Sequence, residues 1–418
     1  LISDSFCTVI KMFHSKKISQ IILLYSTTFI GVVLGVVVSV LNTHSLSPAD
    51  YGDVRYINNF IAFFSGILLF GYFVSGSRLL AVAKSPKECA ELKGAVITIL
   101  CITVFVLVIL ICICGLVHQF VLHKDYAYLF YWVLPVCSPA ILLNYINTTS
   151  QGDNSISMIA AARVFPSLIY LLLAYFIYHK YGASVEKMLW LQNGISVVIL
   201  IILIWKNSPS FSNLKKSLKI LYKENKKYGL EVYYGSLANV SVQYVAGISL
   251  GLYASNNVNV GFYTLALTVT SPLAMLPNVI GTTYFKQFAS QSTISRKIIV
   301  GTIGMSLLSL LGFILLIFPI VDILYDESYQ SVAVYACFLA VGSMMQGLGD
   351  VFNRFLGAHG KGKPIRNVAW ISGSIAIVGY ILGVYVFGLY GAIATRIISS
   401  VSYFLAIFIY YRQFVRLS

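Results

Sequence analysis

Charge is scarce in this 418-residue sequence, in which 10% of the residues are Asp, Glu, Lys or Arg and 58% are hydrophobic. A soluble globular domain carries about 25% charged residues because its surface must be hydrated. Helices that face lipid need no such surface, since their surroundings are apolar. The shortage of charge excludes a soluble enzyme and predicts an integral membrane protein.

Acidic residues are the scarcer of the two charge types, with 14 Asp and Glu against 29 Lys and Arg, for a formal net charge of +15. The cations are dispersed between apolar runs instead of forming a basic domain that could follow a phosphate backbone. The excess of positive charge therefore does not indicate a nucleic-acid partner.

Metal-binding patterns are also missing from the sequence. Five of the seven cysteines fall within apolar runs, and Cys112 and Cys114 are two residues apart, without His or Cys partners at the spacing of metal ligands. We expect them to act as small apolar side chains in membrane helices, and we expect no metal and no cofactor.

We expect no cleavable signal peptide in the N-terminal region. The first long apolar run, residues 18–41, has full membrane length and lacks a small-residue cleavage pattern. The chain begins with Leu, and Met12 would be a natural start, so we expect residues 1–11 to be dispensable.

Long apolar runs are what the sequence has in abundance. Crossing about 30 Å of hydrocarbon takes about 20 helical residues. About twelve runs fit: 19–42, 57–77, 94–117, 127–149, 156–178, 184–205, 229–253, 259–284, 298–320, 331–353, 365–387 and 390–411. They predict an all-α integral membrane protein of about twelve transmembrane helices. The seventh, eighth and tenth runs are the least apolar, which leaves eleven or thirteen spans as alternatives.

The distribution of Lys and Arg predicts the orientation of these spans. With the N-terminus in the cytoplasm, 23 of them fall in the even-numbered loops and both tails, and two lie within spans. The four on the opposite side are Arg55, Lys124, Lys180 and Lys187. Because cytoplasmic loops carry the excess of positive charge, both termini are predicted to be cytoplasmic.

The longest connection, residues 206–228, is rich in lysine and divides the chain into two parts with six spans each. We predict an N-terminal lobe over 1–205, a basic cytoplasmic linker over 206–228 and a C-terminal lobe over 229–418. Gly52 and Gly261 are 209 residues apart, as are the Tyr-Gly-Ala triplets at 181–183 and 390–392. This offset predicts two six-helix lobes related by a pseudo-twofold axis along the membrane normal.

Four cations are candidates for contact with a substrate. Arg163 lies about two turns into the fifth span and Arg396 about two turns into the twelfth, while Arg78 and Lys286 end the second and eighth. Charged groups in a membrane span usually face a bundle interior or an aqueous cavity. The functional interpretation is a cationic cavity for an anionic substrate, and the alternative is that each side chain reaches the nearer headgroups as an anchor.

Polar residues also follow one face of the seventh span, where Asn239 and Gln243 stand between Ser236 and Gly247. Such a stripe suits a hydrated sugar path, but amides also join membrane helices directly, so lining and packing both remain open.

Three residues are candidates for a gate or for ion coupling. Asp350 and Arg354 lie four residues apart on one helical face. They could form a gate, and the alternative is a structural pair. Glu231, at the cytoplasmic entrance of the seventh span, is a candidate proton-coupling carboxylate, with a solvated surface position as the alternative.

Three stretches carry a family resemblance. Leu46-Ser47-Pro48-Ala49-Asp50-Tyr51-Gly52 resembles the L-S-x-x-x-Y-G of bacterial polysaccharide flippases of the Wzx type. Val260-Gly261-Phe262-Tyr263-Thr264-Leu265-Ala266 resembles their V-G-x-Y-x-x-A, and the glycine-rich stretch 357–364 resembles their loop before the eleventh helix. With the twelve-span layout, the resemblance covers essentially the whole chain.

The resemblance implies membership of the multidrug/oligosaccharidyl-lipid/polysaccharide exporter superfamily. It implies two six-helix lobes around a central cavity, and transfer of an undecaprenyl-pyrophosphate-linked oligosaccharide, such as an O-antigen repeat, across the bacterial inner membrane. The implied partners are this lipid-linked substrate, membrane lipids and polysaccharide polymerase machinery, with a proton or sodium gradient as the coupling source.

Two other classes remain as alternatives. A multidrug exporter of the same superfamily would favour acidic groups deep in the helices, whereas the deepest charges here are Arg163 and Arg396. A membrane glycan polymerase is less favoured, because the predicted external loops are short and Asp322, Asp326 and Glu327 lack metal-ligand spacing.

The predicted topology can be tested with reporter fusions. A fusion after Lys223 or at Ser418 should report a cytoplasmic location and one at Asn257 a periplasmic location. A periplasmic signal at Lys223 would overturn both the span count and the division into two lobes.

Overall fold

The computed structural model describes residues 16–417, and the regular structure in this range is helical. The helices are α1 Lys16–Ser45, α2 Pro48–Ile67, α3 Tyr72–Val82, α4 Pro86–Phe120, α5 Tyr128–Val133, α6 Pro139–Gly152, α7 Ile156–Tyr181, α8 Val185–Lys206, α9 Leu214–Glu224, α10 Leu230–Tyr253, α11 Val258–Thr283, α12 Phe285–Phe288, α13 Arg296–Leu324, α14 Ser331–Ala358, and a final helical stretch, Gly362–Leu417. The proposed start at Met12 and the C-terminal residue Ser418 lie outside the described residues.

The last stretch is two helices, because Gly388 has non-helical backbone angles (φ 55°, ψ −130°). We number the part before Gly388 α15 and the part after it α16. This break converts one 55-residue apolar stretch into two spans of ordinary length.

The described helices account for the predicted number of spans. Nine are long and apolar enough to cross a membrane, and α2 and α3 together form another span that is bent by 55°. Dividing the final stretch at Gly388 adds one more, and α10, which has 24 residues but is less apolar than these helices, would bring the total to about twelve. The predicted class, an all-α integral membrane protein, is confirmed, while the pseudo-twofold axis stays a prediction.

The predicted start of the second span was wrong. The sequence interpretation began that span at residue 57, but α2 begins at Pro48. Ser47 caps the helix: its Oγ accepts from the Asp50 N–H at 3.2 Å and donates to the Asp50 carboxylate at 2.7 Å. A capping Ser, a Pro at the first position and an acid at the third stabilise a helix start. Arg55 therefore lies in a helix and not in the external loop.

The linker is also more ordered than predicted. Residues 206–228 contain α9, followed by one π-helical turn at Asn225–Gly229 that leads into α10. Single π turns commonly occur at functional positions within helices.

Proline divides the predicted fourth span. A 3₁₀ turn, Leu134–Val136, contains Pro135, and α6 then begins at Pro139. Because proline lacks the backbone N–H that would continue the helix, it ends α5 and is tolerated as the first residue of α6.

The chain forms two compact units. Unit 1 comprises Leu1–Val38 and Phe64–Tyr233, and unit 2 comprises Ser39–Phe63 and Tyr234–Ser418. In unit 1, the buried Lys93 donates to Asp153 at 2.6 Å and to Asn207 at 2.8 Å. This lysine joins the start of α4 to the ends of α6 and α8, and its charge is balanced by a carboxylate.

Unit 2 has an aromatic core between α12, α14 and α16. Phe288, Phe355 and Tyr411 are buried together, with ring centroids 5.5 Å apart for the first pair and 5.2 Å apart for Phe355 and Tyr411. Such edge-on contacts add to the stabilisation from apolar burial. This core fixes the two helices that carry the polar residues described below.

Also within unit 2, α2 crosses the start of α11 at a glycine contact. A Cβ at Gly52 would lie 1.9 Å from the Asn257 carbonyl oxygen, and one at Gly261 would lie 3.3 Å from the Gly52 Cα. The neighbouring Asp53 accepts a 2.7 Å hydrogen bond from the Asn257 amide. The two glycines that the 209-residue offset paired are therefore in contact, because no larger residue allows the backbones to approach so closely.

This contact predicts that Gly52→Val will be poorly tolerated. Any side chain would overlap the Asn257 backbone, so we expect a lower melting temperature or loss of folded protein in detergent. Gly301→Val is the matched control, because a Cβ at Gly301 meets nothing within 4 Å. Equal melting temperatures for the two variants would contradict the close approach.

Candidate functional site

A polar cluster lies among the helices of unit 2, around Asp350 on α14. The Tyr403 hydroxyl on α16 donates to Asp350 at 2.8 Å and accepts from the Asn353 amide at 2.8 Å. Tyr403 thus uses both its donor and its acceptor, which fixes the orientation of the half-buried carboxylate. We call Asp350, Asn353, Arg354, Arg396 and Tyr403 the Asp350 cluster.

Two arginines contribute positive charge to this cluster. Arg354 and Arg396 both act electrostatically on Asp350. Arg354 is exposed and donates to the side-chain oxygen of Asn278 on α11 at 3.3 Å. Among residues 16–417 neither forms a direct ion pair with Asp350. The predicted i, i+4 relation of Asp350 and Arg354 is therefore a through-space interaction and not a closed salt bridge.

Arg396 is half-buried on α16, two turns after Gly388. Its Nε has no hydrogen-bond partner in the described part of the chain. Arg396 also interacts electrostatically with the buried Tyr263, whose hydroxyl is 3.4 Å from that of Tyr380. A buried donor without a partner is costly, so it invites a ligand that can accept from it.

Arg163, on α7 in unit 1, has a neutral partner. Its Nη1 donates to the Thr28 hydroxyl on α1 at 2.8 Å, and the side chain is half-buried. A hydroxyl satisfies one donor but does not balance the charge. The guanidinium keeps most of its five donors for other acceptors.

Arg78, in contrast, pairs with a carboxylate of the linker. Its Nη1 donates to Glu224 at 2.7 Å, and its guanidinium lies 4.9 Å from the centre of the Tyr228 ring. Beside it, Ser75 donates to the Asn225 side-chain oxygen at 3.1 Å. A substrate anion would have to compete with Glu224 for Arg78.

Gly71 completes this contact between α3 and the linker. Its φ of 77° is left-handed, and a Cβ there would lie 2.2 Å from the Gly229 carbonyl oxygen. The Asn225 amide also donates to the Phe70 carbonyl at 3.0 Å. The start of α3 is therefore held against the π turn that precedes α10, all within unit 1.

The remaining candidates are exposed. Asn239 and Gln243 are exposed on α10, as are Glu231 at its first turn and Lys286 on α12. The next member of the stripe, Gly247, packs against the Asn59 side chain, 2.0 Å from where a Cβ would stand. The two amides remain candidates for lining a polar path, whereas Gly247 serves helix packing.

Sequence reasoning missed the residues around the start of α2. Arg55 lies with its guanidinium 4.8 Å from the centre of the Tyr51 ring, and its Nε has no hydrogen-bond partner in residues 16–417. Nearby, the Ser39 and Tyr325 hydroxyls are 3.0 Å apart, and burial raises the pKa of Tyr325 to about 12, which keeps it neutral. The Ser-Pro-x-Asp start signal could have placed Arg55 in a helix.

The glycine-rich stretch before α15 is held by a histidine. One ring nitrogen of His359 contacts the Phe355 carbonyl at 2.9 Å, and the other contacts the Gln291 carbonyl at 3.0 Å. The ring also lies against Phe414, 4.7 Å between centroids. The glycine-rich stretch 357–364, one of the three stretches that carry the family resemblance, thus has a packing role in unit 2.

The arrangement of helices is shared with solved membrane transporters. A lipid II flippase, MurJ, in an inward closed conformation matches with a TM-score of 0.70 and 16% identity over 94% of this chain and 87% of that one. An inward-facing multidrug resistance transporter of the MATE family, in the MOP superfamily, matches with a TM-score of 0.70 and 14% identity over 94% and 96%. At these identities the likeness shows the fold.

The family follows from sequence. The profile of the family described as polysaccharide biosynthesis protein matches residues 18–290, well over half of the chain. The chain belongs to this family, which confirms the resemblance drawn from the three stretches. An uncharacterized membrane protein of Methanocaldococcus jannaschii is 22% identical over 268 residues, 60% of this chain and about half (52%) of that protein.

The hydrogen bonds of Tyr403 predict the effect of removing its hydroxyl. Tyr403→Phe removes the acceptor of the Asn353 amide and one of the hydrogen bonds to Asp350, which keeps its bond with Gln346. We therefore expect a loss of about 1–3 kcal/mol in the free energy of unfolding, seen as a lower melting temperature. Tyr410→Phe is the control on the same helix, because it removes only a 3.3 Å contact to the exposed Asn367. Indistinguishable melting curves for the two variants would argue against the Asp350 cluster.

Proposed function

We propose that this protein is a flippase that translocates an undecaprenyl-pyrophosphate-linked oligosaccharide, such as an O-antigen repeat unit, by alternating access. Its membrane would be the bacterial inner membrane, with both termini in the cytoplasm. No bond is made or broken in this process, so the protein acts as a transporter and not as an enzyme. Polysaccharide polymerase machinery would use the translocated product.

The observation that carries this proposal is the state of the two arginines within the spans. Arg163 is hydrogen-bonded to a neutral hydroxyl, and the Arg396 Nε has no hydrogen-bond partner within residues 16–417. Guanidinium groups keep their charge in apolar surroundings and match phosphate oxygens with forked donors. In a chain of the polysaccharide biosynthesis family, a pyrophosphate-linked glycan lipid is the substrate that would supply the missing acceptors.

The sugar part of the substrate would need a different set of contacts. Asn239 and Gln243 expose amide groups one turn apart on α10. An amide offers two donors and an acceptor, which suits hydroxyl groups of varied orientation. We propose that these two residues contact the glycan, with Lys286 and Arg78 as further cations along the path.

The Asp350 cluster would supply the gate or the coupling site. Asp350 lies within the electrostatic reach of Arg354 and Arg396, so protonation or binding of a cation at this carboxylate would alter the field at both guanidinium groups. A proton or sodium gradient could drive the transport cycle through this carboxylate. Glu231, exposed at the start of α10, is the second candidate for coupling.

The proposal predicts the outcome of replacing each in-span arginine. Arg163→Ala and Arg396→Ala should strongly reduce surface glycan when each is expressed in a flippase-null strain. A hydrogen bond to a charged group contributes about 1.5–3 kcal/mol, so its loss should weaken substrate binding about 10- to 150-fold. Arg→Lys should retain part of the activity, because the charge remains while the forked geometry is lost. The amount of each variant in the membrane is measured alongside the glycan.

Arg412→Ala is the control, because Arg412 is exposed near the end of α16. It should restore glycan to the wild-type level. If both in-span alanine variants are present at normal levels and also restore normal glycan, these arginines are anchors and the cationic-path proposal fails.

A multidrug exporter is the second candidate function, and the in-span carboxylates favour it. Asp53 and Asp350 are half-buried within membrane helices, a setting that can bind cations. The discriminating assay is uptake of a lipophilic cationic dye by proteoliposomes. Transport that Asp350→Asn abolishes and Arg396→Ala leaves intact would support the exporter and contradict the flippase.

A further inference from the structure

The exposed side of the linker carries a concentrated positive charge that the proposed transport does not use. Besides Lys206 at its start, the linker has six exposed lysines: Lys215, Lys216, Lys219, Lys223, Lys226 and Lys227. Glu224 is the single acid of residues 206–229, and it is paired with Arg78 at 2.7 Å. The lysines are therefore not neutralised within their own segment.

The linker segment has two distinct faces. Ser217, Leu221 and Asn225 follow one another at four-residue spacing and are buried. At 3.6 residues per turn, Lys215, Lys216, Lys219 and Lys223 project from the opposite side of α9, and Lys226 and Lys227 are exposed in the π turn that follows. We call this side the lysine face. Ile220 and Tyr222, both exposed, flank it on either side.

The position of the segment along α4 places the lysine face near the bilayer surface. The Ser210 N–H donates to the Ala90 carbonyl at 2.8 Å, and the Asn213 amide donates to Glu91 at 2.7 Å. A Cβ at Gly94 would stand 2.1 Å from the Ser210 carbonyl oxygen. The chain thus crosses α4 within its first three turns, at one end of a helix long and apolar enough to span the membrane.

Exposed aromatic residues lie in the same part of the chain, between the end of α8 and the end of α9. Trp205, the last residue but one of α8, has three quarters of its surface exposed, and Phe211 and Tyr222 are exposed in the segment that follows. Tryptophan and tyrosine concentrate at the boundary between hydrocarbon and headgroups. Lysine side chains at this boundary reach the phosphate layer of the adjoining leaflet.

We propose that the lysine face binds the headgroups of anionic phospholipids in the leaflet at this end of the helices. Clusters of four to eight basic residues next to a membrane helix or on an amphipathic helix are attracted to anionic lipid. The exposed aromatic and aliphatic side chains favour a bilayer surface over an acidic protein partner, because they can insert among the headgroups. The same segment continues into Glu224 and Asn225, which hold α3, so bound lipid would stabilise that contact.

The test uses the full chain, purified in detergent, and measures its melting temperature with added lipid. Phosphatidylglycerol should raise the wild-type midpoint more than phosphatidylcholine does, since a ligand that binds the folded state stabilises it. The triple variant Lys215→Gln, Lys219→Gln, Lys223→Gln should lose most of this difference. Its midpoint in phosphatidylcholine shows whether it is folded.

The control is Lys297→Gln, Lys361→Gln, Lys363→Gln, three exposed lysines outside the linker. It should keep the full phosphatidylglycerol effect, and raising the salt concentration should reduce the effect in wild type and control alike. Equal phosphatidylglycerol shifts in wild type and the linker variant would overturn the proposal.

Two further probes separate other ligands from the leaflet. Inorganic phosphate should give no comparable shift, and a shift as large as that of phosphatidylglycerol would indicate a simple anion site and overturn the assignment. Polyglutamate should also have a smaller effect than lipid. A shift with polyglutamate and none with phosphatidylglycerol would make the lysine face a protein-docking surface instead.

Discussion

A charged side chain in a membrane span must find its hydrogen bonds in the protein, in water or in a ligand, because hydrocarbon offers none. The structure meets this requirement differently at the helix ends and within the spans. At the ends, Lys93 and Arg78 each pair with a carboxylate, at 2.6 Å and 2.7 Å. Within the spans, Arg163 has a neutral threonine partner, and part of the Arg396 guanidinium has none in residues 16–417.

This difference is the basis of the role that we propose for the arginines. A cation that serves only to hold helices together is most stable when a carboxylate balances it, since removing either partner leaves an uncompensated charge. The Asp350 carboxylate lies close enough to influence Arg396 but is oriented by Tyr403 instead. A site left with positive charge and free donors suits a polyanion that arrives, binds and leaves.

Much of the fold was predictable, because apolar runs are a direct consequence of lipid as solvent. Hydropathy does not reveal the start of α2, because Asp50, Asp53 and Arg55 make this segment polar; the Ser47 capping signal marks the start instead. The helix α9 was missed because its lysines suggest a solvated loop, although Ser217 and Leu221 supply a buried face.

The sequence points to candidate residues, but it does not reveal the contacts that they make. Arg163 and Arg396 were singled out because charge within an apolar run is conspicuous. Tyr403 gave no such signal, since its role depends on a residue 53 positions away on another helix. The offset between Gly52 and Gly261 indicated equivalence, yet their contact follows from the packing of α2 against α11.

The central claim, that an in-span guanidinium binds the pyrophosphate of a lipid carrier, is tested most directly by equilibrium binding to the purified protein. Wild type should bind undecaprenyl pyrophosphate more tightly than undecaprenyl monophosphate, because the second phosphate offers further acceptors to forked donors. Arg396→Ala should lose this preference, and Arg412→Ala should keep it. Equal affinities of the wild type for the two lipids, or an unchanged preference in Arg396→Ala, would contradict the account.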